Sequence, residues 1–176
     1  MHAGATNAGG RSGDAEGQGP IPPEGFTLGL ALFDGVPVAL FCLSTLVLGG
    51  RLGSPAFVAG AVLAFAAGLG KVCWKLLLAL GRGDHPLLSR QLRYLMPLGF
   101  ALMAAGIATK MAVLALVAGR LLSLPSCPLF ALWPACMLAM VRFARHRDQL
   151  DARSNWVEQA TNSLGQAALL AALLLA

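Results

Sequence analysis

Charge is what this sequence has least of. Asp, Glu, Lys and Arg make up only 12% of its 176 residues, against about 25% in soluble domains. Hydrophobic residues reach 57% and the mean hydropathy is +0.70. That composition excludes a water-soluble fold, because too little polar surface is left to cover the apolar bulk. Cysteine is sparse too: Cys42, Cys73, Cys127 and Cys136 form no C-x-x-C pair. They read as small apolar packing residues and not as a disulfide framework or redox pair. There is no phosphate-cradling loop, no G-x-S-x-G elbow and no H-E-x-x-H helix. His85 and His146 lack partners at metal-ligand spacing, so neither a metal nor another cofactor is expected. The net charge of +5 is not a nucleic-acid signature, since the basic residues gather in short loops beside apolar runs and no nucleic-acid motif accompanies them. The Gly81-Arg-Gly-Asp84 run contains an adhesion-type tripeptide, but it falls on the side predicted to be cytoplasmic.

What the chain does have is long apolar runs. Stretches of about 18 or more apolar residues read as transmembrane helices. The sequence predicts an all-α transmembrane helical bundle over 26–176, behind a Gly-rich tail at 1–25 that has too few hydrophobes to bury and is expected to be disordered. The tail lacks the basic start and adjoining apolar core of a signal peptide. Five spans are predicted, at about 27–48, 55–80, 95–118, 121–143 and 155–176. Proline opens the second span, a favoured first-turn position, and Pro97 lies early in the third. Pro125, Pro128 and Pro134 are expected to kink the fourth or leave its outer end irregular. The third span contains Lys110, on the face shared by Gly99 and Gly106. Splitting there would leave a span of about 15 residues, short for a bilayer.

Loop charge orients the bundle. Arg82, Arg90 and Arg93 lie in the second loop, and Arg142, Arg145, Arg147 and Arg153 in or beside the fourth; the first and third offer only Arg51 and Arg120. The positive-inside rule places the second and fourth loops, with the N-terminus, in the cytoplasm and the C-terminus outside. The expected location is the bacterial inner (cell) membrane.

The candidate site is a set of polar residues inside the apolar spans: Asp34, Lys71, Trp74, Lys75, Asn155, Glu158, Asn162 and Gln166, with Lys110 as a secondary member. A lysine at a helix centre costs about 2.5–3.5 kcal/mol on insertion scales and is normally paired or functional. Ala56, Gly60, Ala64 and Gly68 form a small-residue ridge that invites a neighbouring helix, and Lys71 and Lys75 continue that face. Asn155, Glu158, Gln159, Asn162 and Gln166 fall within an arc of about 100° in the first three turns of the last span. Asp34, Lys71, Lys75 and Glu158 lie within about 10 Å of one another in depth, so two acids and two lysines fit one layer. Lys71, about two turns deep, is expected to contact Asp34 or Glu158; Lys75 either pairs or snorkels to the surface. Each residue also has a plainer role. Glu158 suits a helix first turn with Asn155 as N-cap, Trp74 suits the headgroup level, and Asn162 and Gln166 suit interhelical hydrogen bonding.

Phe33-Asp-Gly-Val-Pro-Val38, Lys71-x-x-Trp-Lys75 and Asn155-Trp-x-Glu-x-x-x-Asn162-x-x-x-Gln166 resemble a group of small bacterial polytopic membrane proteins with no assigned activity. The resemblance touches the first, second and fifth spans and implies a membrane bundle with this polar set; it implies no chemistry. The tryptophan pattern of the sensory, translocator-type five-span proteins is not found.

Three functions compete. The first is a non-enzymatic bundle whose intramembrane charge layer sets packing or docks a partner. The second is a small carrier or conductor of an anion or protons, since intramembrane ionisable residues mark such pathways. The third is an intramembrane enzyme using Glu158 or Asp34 as a base, which ranks last for want of a nucleophile or metal. The expected partners are the lipid bilayer and a second copy or another membrane protein. A dry ion pair favours the first reading, a polar cavity open to the cytoplasm the second, and an apolar groove ending at a carboxylate the third.

Overall fold

The computed structural model describes residues 27–82, 85–146 and 152–176; the Gly-rich tail assigned to 1–25 lies outside them. The described residues form eight helices and no strand: α1 (Leu28–Phe33), α2 (Gly35–Leu52), α3 (Pro55–Ala79), α4 (Pro86–Arg90), α5 (Leu92–Ala108), α6 (Met111–Leu121), α7 (Ser126–His146) and α8 (Ala152–Leu175). Among the described residues, four helical segments are long and apolar enough to cross a membrane: Leu28–Leu52, Pro55–Ala79, Pro86–Ala108 and Ser126–Phe143. α8 has 24 residues, long enough for a fifth at about 1.5 Å per residue. Its polar arc fills the first half, and Ala and Leu fill the second.

Local chemistry explains the boundaries. Gly53 adopts φ 58° after α2, a left-handed conformation natural to glycine that ends the helix. Ser54 then caps α3, its hydroxyl accepting from the Phe57 N–H at 3.4 Å, with Pro55 in the first turn. The first span parts at Asp34 because Pro37 has no N–H and its ring crowds the carbonyl four residues back, at Phe33.

The order of neighbours is α5, α3, α2, α8, α7. α2 and α3 are antiparallel, with Gly49 against Val58 and Phe57 and Gly68 against Val38. α3 and α5 are antiparallel and approach backbone to backbone. A Cβ on Gly60 would lie 2.5 Å from the Gly99 carbonyl oxygen, one on Gly99 would lie 2.8 Å from the Gly60 carbonyl oxygen, and one on Gly106 would run into the Phe57 backbone. Close approach of this kind is how membrane helices gain contact where hydrophobic collapse offers nothing. The predicted ridge of α3 does not serve one neighbour: Gly60 and Ala64 face α5, whereas Gly68 faces Val38 of α2. Each four-residue step advances about 400°, so such a ridge drifts about 40° per step and turns from one helix to the next. α8 runs parallel to α2, with Trp156 against Phe33 at one end and Leu173 against Arg51 at the other. α7 returns antiparallel along α8, with Cys136 against Gly165.

The division predicted between 95 and 143 is corrected. The helix of the third span ends at Ala108, and α6 is a separate 11-residue helix, about 16 Å long and about half a bilayer core. Val113 and Leu114 pack on Leu52, Phe57, Ala61 and Met103. Val117 and Leu121 pack on Ala172 and Leu173. Those partners gather where α2 and α8 end and α3 begins, so α6 lies across that end of the bundle. Five helical rods remain, and α6 is part of the connection between the third and fourth. Lys110 is therefore not inside a span. It precedes α6 at φ −129°, its N–H bonded to the Ile107 carbonyl at 2.8 Å. The break falls beside Phe57, level with the start of α3, at the end of the bundle that α6 crosses.

Candidate functional site

Lys75 Nζ lies 2.7 Å from Asp34 Oδ1, and the two side chains are only 10% and 7% exposed. Three pieces of backbone place this pair. The break caused by Pro37 leaves Asp34 at the joint between α1 and α2. Gly35 packs beside Val72 of α3, and Gly68 lets α3 come close to α2, since a Cβ there would meet Val38 at 3.2 Å. Lys75 then projects from the last turns of α3 onto the carboxylate. The choice left open for Lys75, pairing or snorkelling, is resolved as pairing. Asp34, one of the two acids named as partners for Lys71, holds Lys75 through Oδ1.

The polar arc of α8 begins beside this pair. Trp156 packs on Phe33, with ring centroids 5.1 Å apart, which brings the first turns of α8 against α1. Asn155 is 3% exposed and Gln159 7%, so the arc points into the protein. Lys71, Trp74, Glu158 and Asn162 are half-buried. Lys110, at the far end of α5, stands apart from the layer. Among the described residues no group of three or more His, Cys, Asp or Glu could hold a metal ion.

A cleft of about 160 Å³ lies above α2 and α3 with α5 and α8 as its walls; Val38, Phe41, Gly68 and Phe100 line it, together with Asn162 and Gln166. Phe41 and Phe100 meet edge to face at 6.1 Å across it. Gln166 Oε1 is buried with no hydrogen-bond partner, an unmet acceptor in a mainly apolar wall. Among the described residues no charged side chain lines this cleft.

Gln159, on the arc that periodicity predicts, is buried with it. Two placements have little sequence signal. The Gln91 side chain sits directly over Gly70, filling the space that glycine leaves between α3 and α4. Arg51 donates to the Leu173 carbonyl in the last turn of α8, and Arg120 to the main-chain oxygen of Ala176 just beyond it.

The chain matches no protein-family model, no curated protein and no solved structure.

Proposed function

We propose that this chain is a non-enzymatic integral membrane bundle whose intramembrane charge layer fixes how its helices pack. The observation that carries this reading is the Lys75–Asp34 pair at 2.7 Å with both side chains buried. A carboxylate held this way has its charge spent on its partner and is shielded from substrate. A lysine held this way makes a poor stepping stone for an anion. A buried pair is weak evidence for added stability but is well suited to specifying register. Because α1, α2 and α3 all converge on it, sliding any one of them would strand a charge in hydrocarbon.

The carrier reading draws on the cleft between α5 and α8 and the unmet Gln166 oxygen. With no charged side chain among the described residues of the cleft lining, it fits a conducting path for anions or protons poorly. The enzyme reading needs a groove that ends at a carboxylate, and this one ends at two amides.

The orientation belongs to this proposal. The end bearing Arg82, Arg90, Arg93, Arg142 and Arg153 faces the cytoplasm, and the α6 end faces outward, on the positive-inside rule. The location is the cell membrane.

The test is a flux assay on purified protein in liposomes, run for protons and for chloride. No flux above that of empty liposomes is expected. Flux in the wild type that disappears in Lys75→Met would overturn the packing role and transfer the residue to a transport path.

A further inference from the structure

The α6 end of the protein carries a second, separate feature. An open pocket of about 580 Å³ lies there, lined by Arg51, Val113, Leu116, Val117, Gly119 and Arg120 among others. Arg51 comes from the last turn of α2 and Arg120 from the last turn of α6. No Asp or Glu occurs between Asp34 and Asp84, between Asp84 and Asp148, or after Glu158. The segments that build this end therefore hold Arg51, Lys110 and Arg120 and no Asp or Glu side chain. The two arginines donate to the main-chain oxygens of Leu173 and Ala176. A guanidinium has five N–H donors in a planar fork suited to phosphate, so these bonds leave donors for an anion.

The remaining lining is apolar. Val113, Leu116, Val117 and Gly119 form one wall, and Leu116 and Leu122 beside it are exposed. α6 is too short to cross and lies at the end of the bundle, where headgroups meet hydrocarbon. A site with paired guanidinium groups above an apolar wall, at that depth, is complementary to an anion that carries an alkyl chain.

We propose that Arg51 and Arg120 bind the phosphodiester of an anionic membrane phospholipid, with an acyl chain lying along the apolar side of α6. The commitment to a lipid over a free anion rests on the apolar wall, which inorganic phosphate could not use. This site lies at the opposite end from the Lys75–Asp34 pair and does not depend on the role assigned to that pair.

The test is native mass spectrometry of the full chain released from bilayer nanodiscs of phosphatidylglycerol or phosphatidylcholine. The wild type should keep phosphatidylglycerol in preference to phosphatidylcholine by about tenfold, the ratio that about 1.4 kcal/mol supplies. Arg120→Gln should remove that preference while leaving the Arg51 bond to α8 in place. Gly119→Leu is the second variant. A Cβ there meets nothing within 4 Å, so the substitution keeps both arginines and a normal fold but fills the pocket, and it too should reduce the retained lipid. Arg90→Gln, at the other end, should change nothing. Undiminished phosphatidylglycerol in both Arg120→Gln and Gly119→Leu would overturn the site. Displacement of the lipid by inorganic phosphate alone would overturn the lipid assignment in favour of a free-anion site.

Discussion

Lys75 and Asp34 are 41 residues apart in sequence and share one short hydrogen bond at 2.7 Å, which ties the joint between α1 and α2 to the last turns of α3. The contact depends on a proline that neither residue touches in sequence: without the break that Pro37 causes, Asp34 would be an ordinary residue of a continuous helix. A defect in one helix thus becomes the anchor point of another.

Removing one partner should be worse than removing both. Lys75→Ala or Asp34→Ala alone should destabilise the protein by about 3–5 kcal/mol, because each leaves a buried charge uncompensated. The double replacement Asp34→Leu with Lys75→Met should recover most of that loss. Thermal or denaturant unfolding in detergent micelles measures the cycle. Additive losses, with no recovery in the double variant, would remove the pair from the account of packing.

The glycines of α3 should differ in cost according to what they touch. Gly60→Leu forces a side chain into the α5 backbone at Gly99 and Met103 and should exceed the usual overpacking range of about 1–3 kcal/mol. Gly68→Leu meets only the Val38 side chain, which has room to shift, and should stay within that range. Gly50→Ala meets nothing within 4 Å and should stabilise by about 0.5–1 kcal/mol through helix propensity. Unfolding midpoints of the three variants, compared in one detergent, check the ranking; Gly68→Leu proving the worst would contradict the α3–α5 packing.

Lys110 supplies a sharp test of the α5–α6 break. A cysteine placed there by Lys110→Cys, in a background with the four native cysteines replaced, should react with a membrane-impermeant maleimide added to intact cells. Protection from the reagent, released only by detergent, would restore an unbroken third span. A phosphatase fused after Ala176 should be active outside the cytoplasm, and activity of a cytoplasmic reporter there would reverse the orientation.

The α7–α8 contact should also respond to a single side chain. A Cβ on Gly165 would lie 2.8 Å from the Cys136 Cβ, so Gly165→Leu should push the two helices apart and expose Cys136, which is buried. Faster modification of Cys136 by a small thiol reagent than in the wild type is the expected readout. An unchanged rate would mean that the α7–α8 interface absorbs the added bulk without opening.

Much of this protein is determined by sequence alone, and the reason is the solvent. In hydrocarbon every backbone polar group must be satisfied within its own helix, so apolar runs of sufficient length become helices whatever their neighbours do. The inward direction of Asn155, Gln159 and the α3 glycines follows from helical periodicity in the same way. Tertiary structure decided what periodicity cannot rank. Lys71 and Lys75 share a face one turn apart, and only the fold shows that Lys75 reaches Asp34 Oδ1. Residues 95–121 are apolar almost throughout, so hydropathy could not place the turn at Thr109 and Lys110. That turn is set by where α5 runs past the start of α3, a distance between helices. Arg51 and Arg120, read from sequence only as loop charges, line one pocket because α2 and α6 end beside the end of α8, which depends on how the helices pack.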